Sequence, residues 1–168
     1  MNPELIGDFI DAAVQDQSKA TLLYSENPEL REARWLLGET VLHFLAVEGY
    51  ADAVGFLGNI GFDPNPVNDL GNSPLLDVAV LGNDRVAEVL LSIGADPNAT
   101  SLTWDNVLHA AVRSGNARLV DLLLAAGAKT DYVTDLGETV LDALPEKHSE
   151  RTSVEDILQK YGIHRGAT

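Results

Sequence analysis

The chain contains no cysteine. Disulfides and thiolate chemistry are therefore excluded, and a structural zinc site loses its usual ligands. That absence does not fix a compartment, because secreted bacterial proteins also do without cysteine. Basic residues are scarce, 11 Lys+Arg against 26 Asp+Glu, for a formal net charge of −15. A field of that sign repels nucleic acid and anionic membrane and speeds encounter with basic partners. Alternatively the surplus acid confers only solubility. No cluster of Lys and Arg with interleaved aromatics is present, which argues against a nucleic-acid reader. The most apolar stretch, 41–62, is broken by His43, Glu48, Asp52 and several glycines, and reads as two packed helices rather than a membrane span. The first residues carry no basic region followed by an apolar run, so no ordinary signal peptide is expected. A soluble, cytoplasmic protein is the default expectation.

The motifs of chemistry are equally thin. The glycine-rich segments lack a P-loop lysine and any G-x-G-x-x-G, and no G-x-S-x-G elbow occurs. The run Asp63-x-Asn65-x-x-x-Asp69 faintly suggests a calcium loop, without the glycine and closing glutamate such a loop needs. None of the four histidines, His43, His109, His148 and His164, pairs at a metal-binding spacing. No metal, no cofactor and no enzymatic activity are expected.

What the chain does have is a register. Thr40, Ser73, Asn106 and Thr139 follow one another at intervals of 33, as do Gly49, Gly82 and Gly115, and Gly61, Gly94 and Gly127. A fixed period of this length marks a solenoid of one repeated supersecondary unit. At 168 residues, the chain is one domain's worth, able to bury roughly 70% of its unfolded surface. The phased positions predict the unit. Thr, Ser and Asn are N-cap residues, whose side-chain oxygens accept from the free N–H groups of a first helical turn. Pro74 follows Ser73 at the position where a missing N–H does no harm. Apolar residues then point inward: Leu42, Leu45 and Ala46, with Leu75, Val78, Ala79 and Leu108, Ala111, Val112 in the next copies. The first glycine of each unit ends this helix. A second helix starts near Asp52, Asn83 and Asn116, with a stripe at i, i+3, i+4 (Ala53, Val54, Phe56, Leu57 in the first copy). The second glycine leads into links such as Ala95-Asp96-Pro97-Asn98, where proline forbids helix. Each unit is thus a helix, a tight turn, a longer helix and a protruding hairpin-like loop.

On these residues the chain resembles the ankyrin-repeat family. The family pattern G-x-T-P-L-H-x-A-A-x-x-G is matched at Gly38–His43, Gly71–Leu76, Asn106–Ala111 and Gly137–Asp142, and the link L-L-x-x-G-A-D-x-N at Leu90–Asn98. The match covers about 35–162. The resemblance implies an all-α repeat solenoid of about five repeats filling 1–168: a degenerate N-terminal cap over 3–33, central repeats over 35–67, 68–100 and 101–133, an irregular C-terminal cap over 134–162, and a tail over 163–168. In the N-terminal cap Ala13 falls on Ala46 and Leu23 on Phe56, with Asp16 in place of the turn glycine; Pro28 closes its second helix before a charged outgoing loop, 29–34. In the C-terminal cap Pro145 shortens the first helix, the polar run 146–152 forms a longer loop, and Val154 to Tyr161 is the second helix. The spacing of 35 from Gly127 to Gly162 implies a two-residue insertion. Terminal repeats must present a polar outer face, so atypical ends are expected.

The resemblance also implies roles. His43 and His109 occupy the repeat's own histidine position, which is structural and bonds turn backbone between neighbouring repeats. Partner contacts fall on the concave face: Leu36, Leu37, Glu39, Val47 and Glu48; Asp69, Leu70, Asn72, Val80 and Leu81; Leu102, Thr103, Trp104, Asp105, Arg113 and Ser114; and Asp135, Leu136 and Glu138. Leu36, Leu70, Leu102 and Leu136 recur at intervals of 34, 32 and 34, and Trp104 replaces the usual hairpin glycine. These leucines either tuck between neighbouring loops or form an apolar strip rimmed by carboxylates, as interaction sites do. The expectation is a monomeric, non-catalytic module binding another protein, basic and carrying apolar anchors. The alternative is an acidic inhibitor or immunity-type protein that neutralises a basic enzyme or toxin.

Overall fold

The computed structural model describes residues 2–102 and 106–164. Its helices, in chain order, are α1 Pro3–Gln15, α2 Gln17–Glu26, α3 Val41–Val47, α4 Ala51–Asn59, α5 Pro74–Leu81, α6 Asp84–Ser92, α7 Val107–Ser114, α8 Ala117–Ala125 and α9 His148–Lys160. Successive first helices α3, α5 and α7 pack side by side, and α4, α6 and α8 form a second layer behind them. One core runs the length of the stack. Its framework columns Leu42/Leu75/Leu108, Val54/Ala87/Val120 and Leu57/Leu90/Leu123 are buried in every copy. The column Phe56/Val89/Leu122 is half-buried, at the margin of the stripe.

The cap chemistry accounts for where the helices start. Thr40, Ser73 and Asn106 accept from the backbone N–H of His43, Leu76 and His109 respectively. Asn83 and Asn116 cap α6 and α8 in the same way. In the first central repeat the position before α4 is Tyr50, which makes no side-chain cap bond; Asp52 lies inside the helix.

Asp16 stands where the other repeats turn at glycine. It closes α1 through its backbone N–H and caps α2 through its carboxylate, 3.1 Å from Lys19 N. One residue with a short acceptor side chain thus joins two helices without the left-handed turn. The degenerate repeat is held by aromatic contacts: Phe9 stacks on Phe62 at 5.9 Å between ring centres, and Tyr24 lies 5.3 Å from Phe62. Residues 28–32, which overlap the loop expected over 29–34, form a 3₁₀ turn that buries Leu30.

The C-terminal repeat departs further from expectation. No helix follows Thr139. Asp142 accepts from both the backbone N–H and the hydroxyl of Thr139, at 2.9 and 2.7 Å, so the start of a helix is made. Pro145 then lacks an N–H and clashes with the carbonyl four residues before it. What remains is one turn, below the length at which a helix sustains itself. The run 146–152 is a loop only as far as Lys147, because α9 begins at His148. α9 buries Val154 and Leu158 and packs on α8.

Between repeats the links are stitched at the same period. Asn65 donates its amide to Gly94 O (3.0 Å) and accepts from Asp96 N (2.7 Å). Asn98 repeats this with Gly127 O (3.4 Å) and Lys129 N (2.8 Å). The Asn65 side chain suggested above as part of a calcium loop is therefore spent on the next repeat.

Candidate functional site

The hairpin-like loops project as fingers beside the first helices. Three fingers close with a backbone bond at one register: Trp35 N to Glu39 O, Asn68 N to Asn72 O, and Thr134 N to Glu138 O, at 2.9–3.1 Å. Neighbouring fingers are tied as well. Asp69 N donates to Leu37 O (2.9 Å), Leu102 N donates to Leu70 O (3.1 Å), and Arg34 donates to both Gly38 O and Val67 O. The first three fingers are therefore connected in a shelf rather than standing as independent loops.

The leucines of the fingers face solvent. Leu36 is 77% exposed, Leu70 46%, Leu102 71% and Leu136 73%. The backbone joins the fingers, and the side chains are left outside, except that Leu102 also lies over Gly71. On the first helices, Val80 and Leu81 are more than half exposed and Val47 somewhat less. Leu37 lies at the fingertip with φ +60°, a left-handed conformation that leucine rarely adopts. Glu48, Asp69, Arg113 and Asp135 are exposed, and Glu39, Asn72 and Glu138 half-buried. Ser114 is turned inward: its hydroxyl donates to Ala111 O (2.7 Å) and packs against Gly82. Thr103, Trp104 and Asp105 lie outside the described residues.

An open groove of about 260 Å³ runs between fingers and first helices, lined by Leu37, Val47, Leu70, Val80 and Leu81 with Glu39, Asn68, Asn72 and Asp77. Beneath it runs a chain of hydrogen bonds. Thr40 N donates to His43 Nδ1 (3.3 Å), which leaves the imidazole Nε2 to donate to Asn72 O (3.0 Å) in the next repeat. The histidine is neutral in this tautomer, and burial lowers its pKa, against the opposing pull of its bond to Asn72 and of Asp77 and Glu39. Asn72 in turn donates its side-chain amide to Asp77 Oδ1 at 2.7 Å. Asn68 reaches Asp77 Oδ2 at 3.5 Å and accepts from Leu70 N and Asn72 N, both at 3.0 Å. Burial pushes the Asp77 carboxyl above its ordinary value, while the Asn72 amide and His43 pull it down. Asp77 and Asn68 were not among the sequence candidates. The available signal was that Asp77 is the one charge in the α5 sequence PLLDVAVL.

Residues 9–101 match the family model described as ankyrin repeats in three copies, and residues 104–135 match that of a single ankyrin repeat. The chain belongs to the ankyrin-repeat family. No curated protein sequence matches it. Ankyrin repeats are in general protein–protein interaction modules, and the buried, neutral His43 of this ankyrin-repeat chain is accounted for by the turn it supports. Among the described residues no group of three His, Asp or Glu side chains is placed to hold a metal ion, and no helix is long and apolar enough to cross a membrane. A second cleft beside α9, between Leu141, Leu144 and Leu158, contains the charged pair Arg151 and Glu155, which neutralise each other at 3.0 Å.

Proposed function

We propose that this ankyrin-repeat chain is a non-catalytic module, acting as a monomer, that binds another protein along the groove between its fingers and first helices. The observation that carries the reading is the line of exposed aliphatic side chains at Leu37, Val47, Leu70, Val80 and Leu81, gathered along one groove. Exposed patches of this kind, rimmed by polar groups, mark interaction sites. The groove is open rather than enclosed, which suits a polypeptide segment better than a small substrate.

The test is capture from native cell extract by the wild-type chain and by the double variant Leu70→Ala/Leu81→Ser. Hot-spot truncations of this kind cost about 2 kcal/mol or more each. A protein retained by the first and lost from the second, at an unchanged melting temperature, supports the reading; undiminished retention removes it.

A second reading, an acidic inhibitor or immunity-type protein, is favoured by how the charge is disposed. The net charge is −15, and the cations Arg85, Arg118, Lys147, Arg151 and Lys160 are spent on internal ion pairs. The surplus carboxylates are thus available to steer a basic partner and to repel nucleic acid or an anionic membrane. Under this reading the association rate with the captured partner falls steeply with added salt; a salt-insensitive rate counts against it.

A further inference from the structure

Asp77 is an unusual floor for an aliphatic groove. It sits in the middle of α5, flanked in space by Val47, Leu70, Val80 and Leu81. Its carboxylate receives two neutral amide donors, from Asn72 and Asn68. No ion pair reaches it among the described residues, although five other cations of the chain are paired elsewhere. Beside it the side-chain oxygen of Asn72 is closed to solvent and has no hydrogen-bond donor among the described residues. A half-buried carboxylate without a counter-ion costs desolvation energy that a partner cation recovers. An unsatisfied buried acceptor is a similar liability.

We propose that the Asp77 carboxylate is the seat for one Lys or Arg side chain of a partner segment whose neighbouring residues are aliphatic. The proposal rests on the groove reading and specifies its occupant. The aliphatic stem of Lys or Arg lies along apolar surface while its charged head reaches a polar group, and the groove offers both. Aliphatic neighbours of that cation would cover Val47, Leu70, Val80 and Leu81. The seat is distinct from the rim carboxylates Glu48 and Asp69, which are exposed and act on encounter. A charge pair at Asp77 is shielded from water and acts on the lifetime of the complex. The equivalent positions in the neighbouring repeats are Phe44 and Ala110, so the seat occurs once and fixes the register of a bound segment.

The experiment pans a phage library of random twelve-residue peptides on the full chain. Enriched peptides are then synthesised, and each Lys in turn is replaced by norleucine, which keeps the stem and removes the charge. The expected result is one basic residue among aliphatics in the enriched set. Affinity is expected to fall at least tenfold on Asp77→Asn and on the matching norleucine replacement, with no further loss when both are combined. The peptide replacement needs no change in the protein, so a poorly folded variant cannot mimic the result. Peptides that lose binding on Leu70→Ala/Leu81→Ser but are indifferent to Asp77→Asn and to norleucine would overturn the cation seat and leave the groove reading standing. Peptides indifferent to all these changes, or no enrichment at all, would overturn both.

Discussion

Replacing His43 by leucine isolates the value of the bond between repeats. Leucine is the natural occupant of the equivalent position 76, where it is buried in the same column, so shape and helix position are tolerated. No large cavity forms, because the two side chains are of similar volume. What is lost is three hydrogen bonds of a fully buried side chain: Thr40 N and the Thr40 hydroxyl to Nδ1 at 3.3 and 3.0 Å, and Nε2 to Asn72 O at 3.0 Å. Each group left without a partner costs about 1–3 kcal/mol when buried. Thr40 is buried and bears the full cost, whereas Asn72 O keeps the bond it accepts from Asn68 N at 3.0 Å. The expected destabilisation is roughly 2–4 kcal/mol at pH 7.5, from the same per-group cost, read as a shift in the urea midpoint followed by circular dichroism. Its pH dependence has a definite sign. The folded pKa of His43 lies below 6.5, so the neutral imidazole stabilises the fold fully above that value. As pH falls through 6.5 the unfolded chain takes up the proton first, and that stabilisation is lost until the folded pKa is passed. The gap between wild type and His43→Leu therefore narrows from pH 7.5 towards pH 5.5. A gap that widens instead would mean a charged imidazole held by Asp77 and Glu39, and would refute the neutral relay.

Leu90→Ala and Leu123→Ala each remove a fully buried side chain from the framework and are expected to cost about 2–5 kcal/mol in urea unfolding. Gly71→Ala places a Cβ 2.7 Å from Leu102 Cγ and 2.9 Å from its backbone N, at φ +77°. The left-handed conformation alone costs about 1–2 kcal/mol, and a backbone neighbour cannot swing away, so a drop of the urea midpoint larger than that figure implies is expected. On the opposite face Arg85 pairs with Asp52, and Arg118 with Asp84 and Glu88, at 2.7–3.3 Å and with exposed guanidinium groups. Arg85→Ala and Arg118→Ala should each cost below about 1 kcal/mol per pair, an effect that shrinks further in salt, and both should leave partner capture unchanged.

The solenoid was legible because its signals are local and repeated. A cap residue, a turn glycine and an i, i+3, i+4 stripe each act within one helical turn, and a period of 33 presents them several times over. The structural role of His43 followed from the family resemblance, and its partner is the turn of the next repeat. The failure of the helix after Thr139 was half legible. Pro145 gave the reason to expect a short helix, but the helix is absent because the residues left before it cannot sustain one, and α9 starts six residues earlier than its apolar stripe suggested. The finger leucines could not be resolved from sequence, since the same spacing serves packing between loops and exposure on them.

The sequence by itself determined the unit, its boundaries of cap and glycine, and the column of leucines that joins one copy to the next. Only the tertiary structure decided which polar groups meet across copies. Asn65 and Asn98 became staples, Asp52 and Arg85 became a pair, and Asp77 came to rest on two amides under an aliphatic groove, with no cation beside it among the described residues. The physical reason is that a period states which residues are neighbours in adjacent repeats, whereas burial and hydrogen-bond partners depend on how far one repeat is displaced and turned against the next. The 33-residue register thus names the rows of the stack; the stacking of fingers and first helices sets the depth at which each side chain sits.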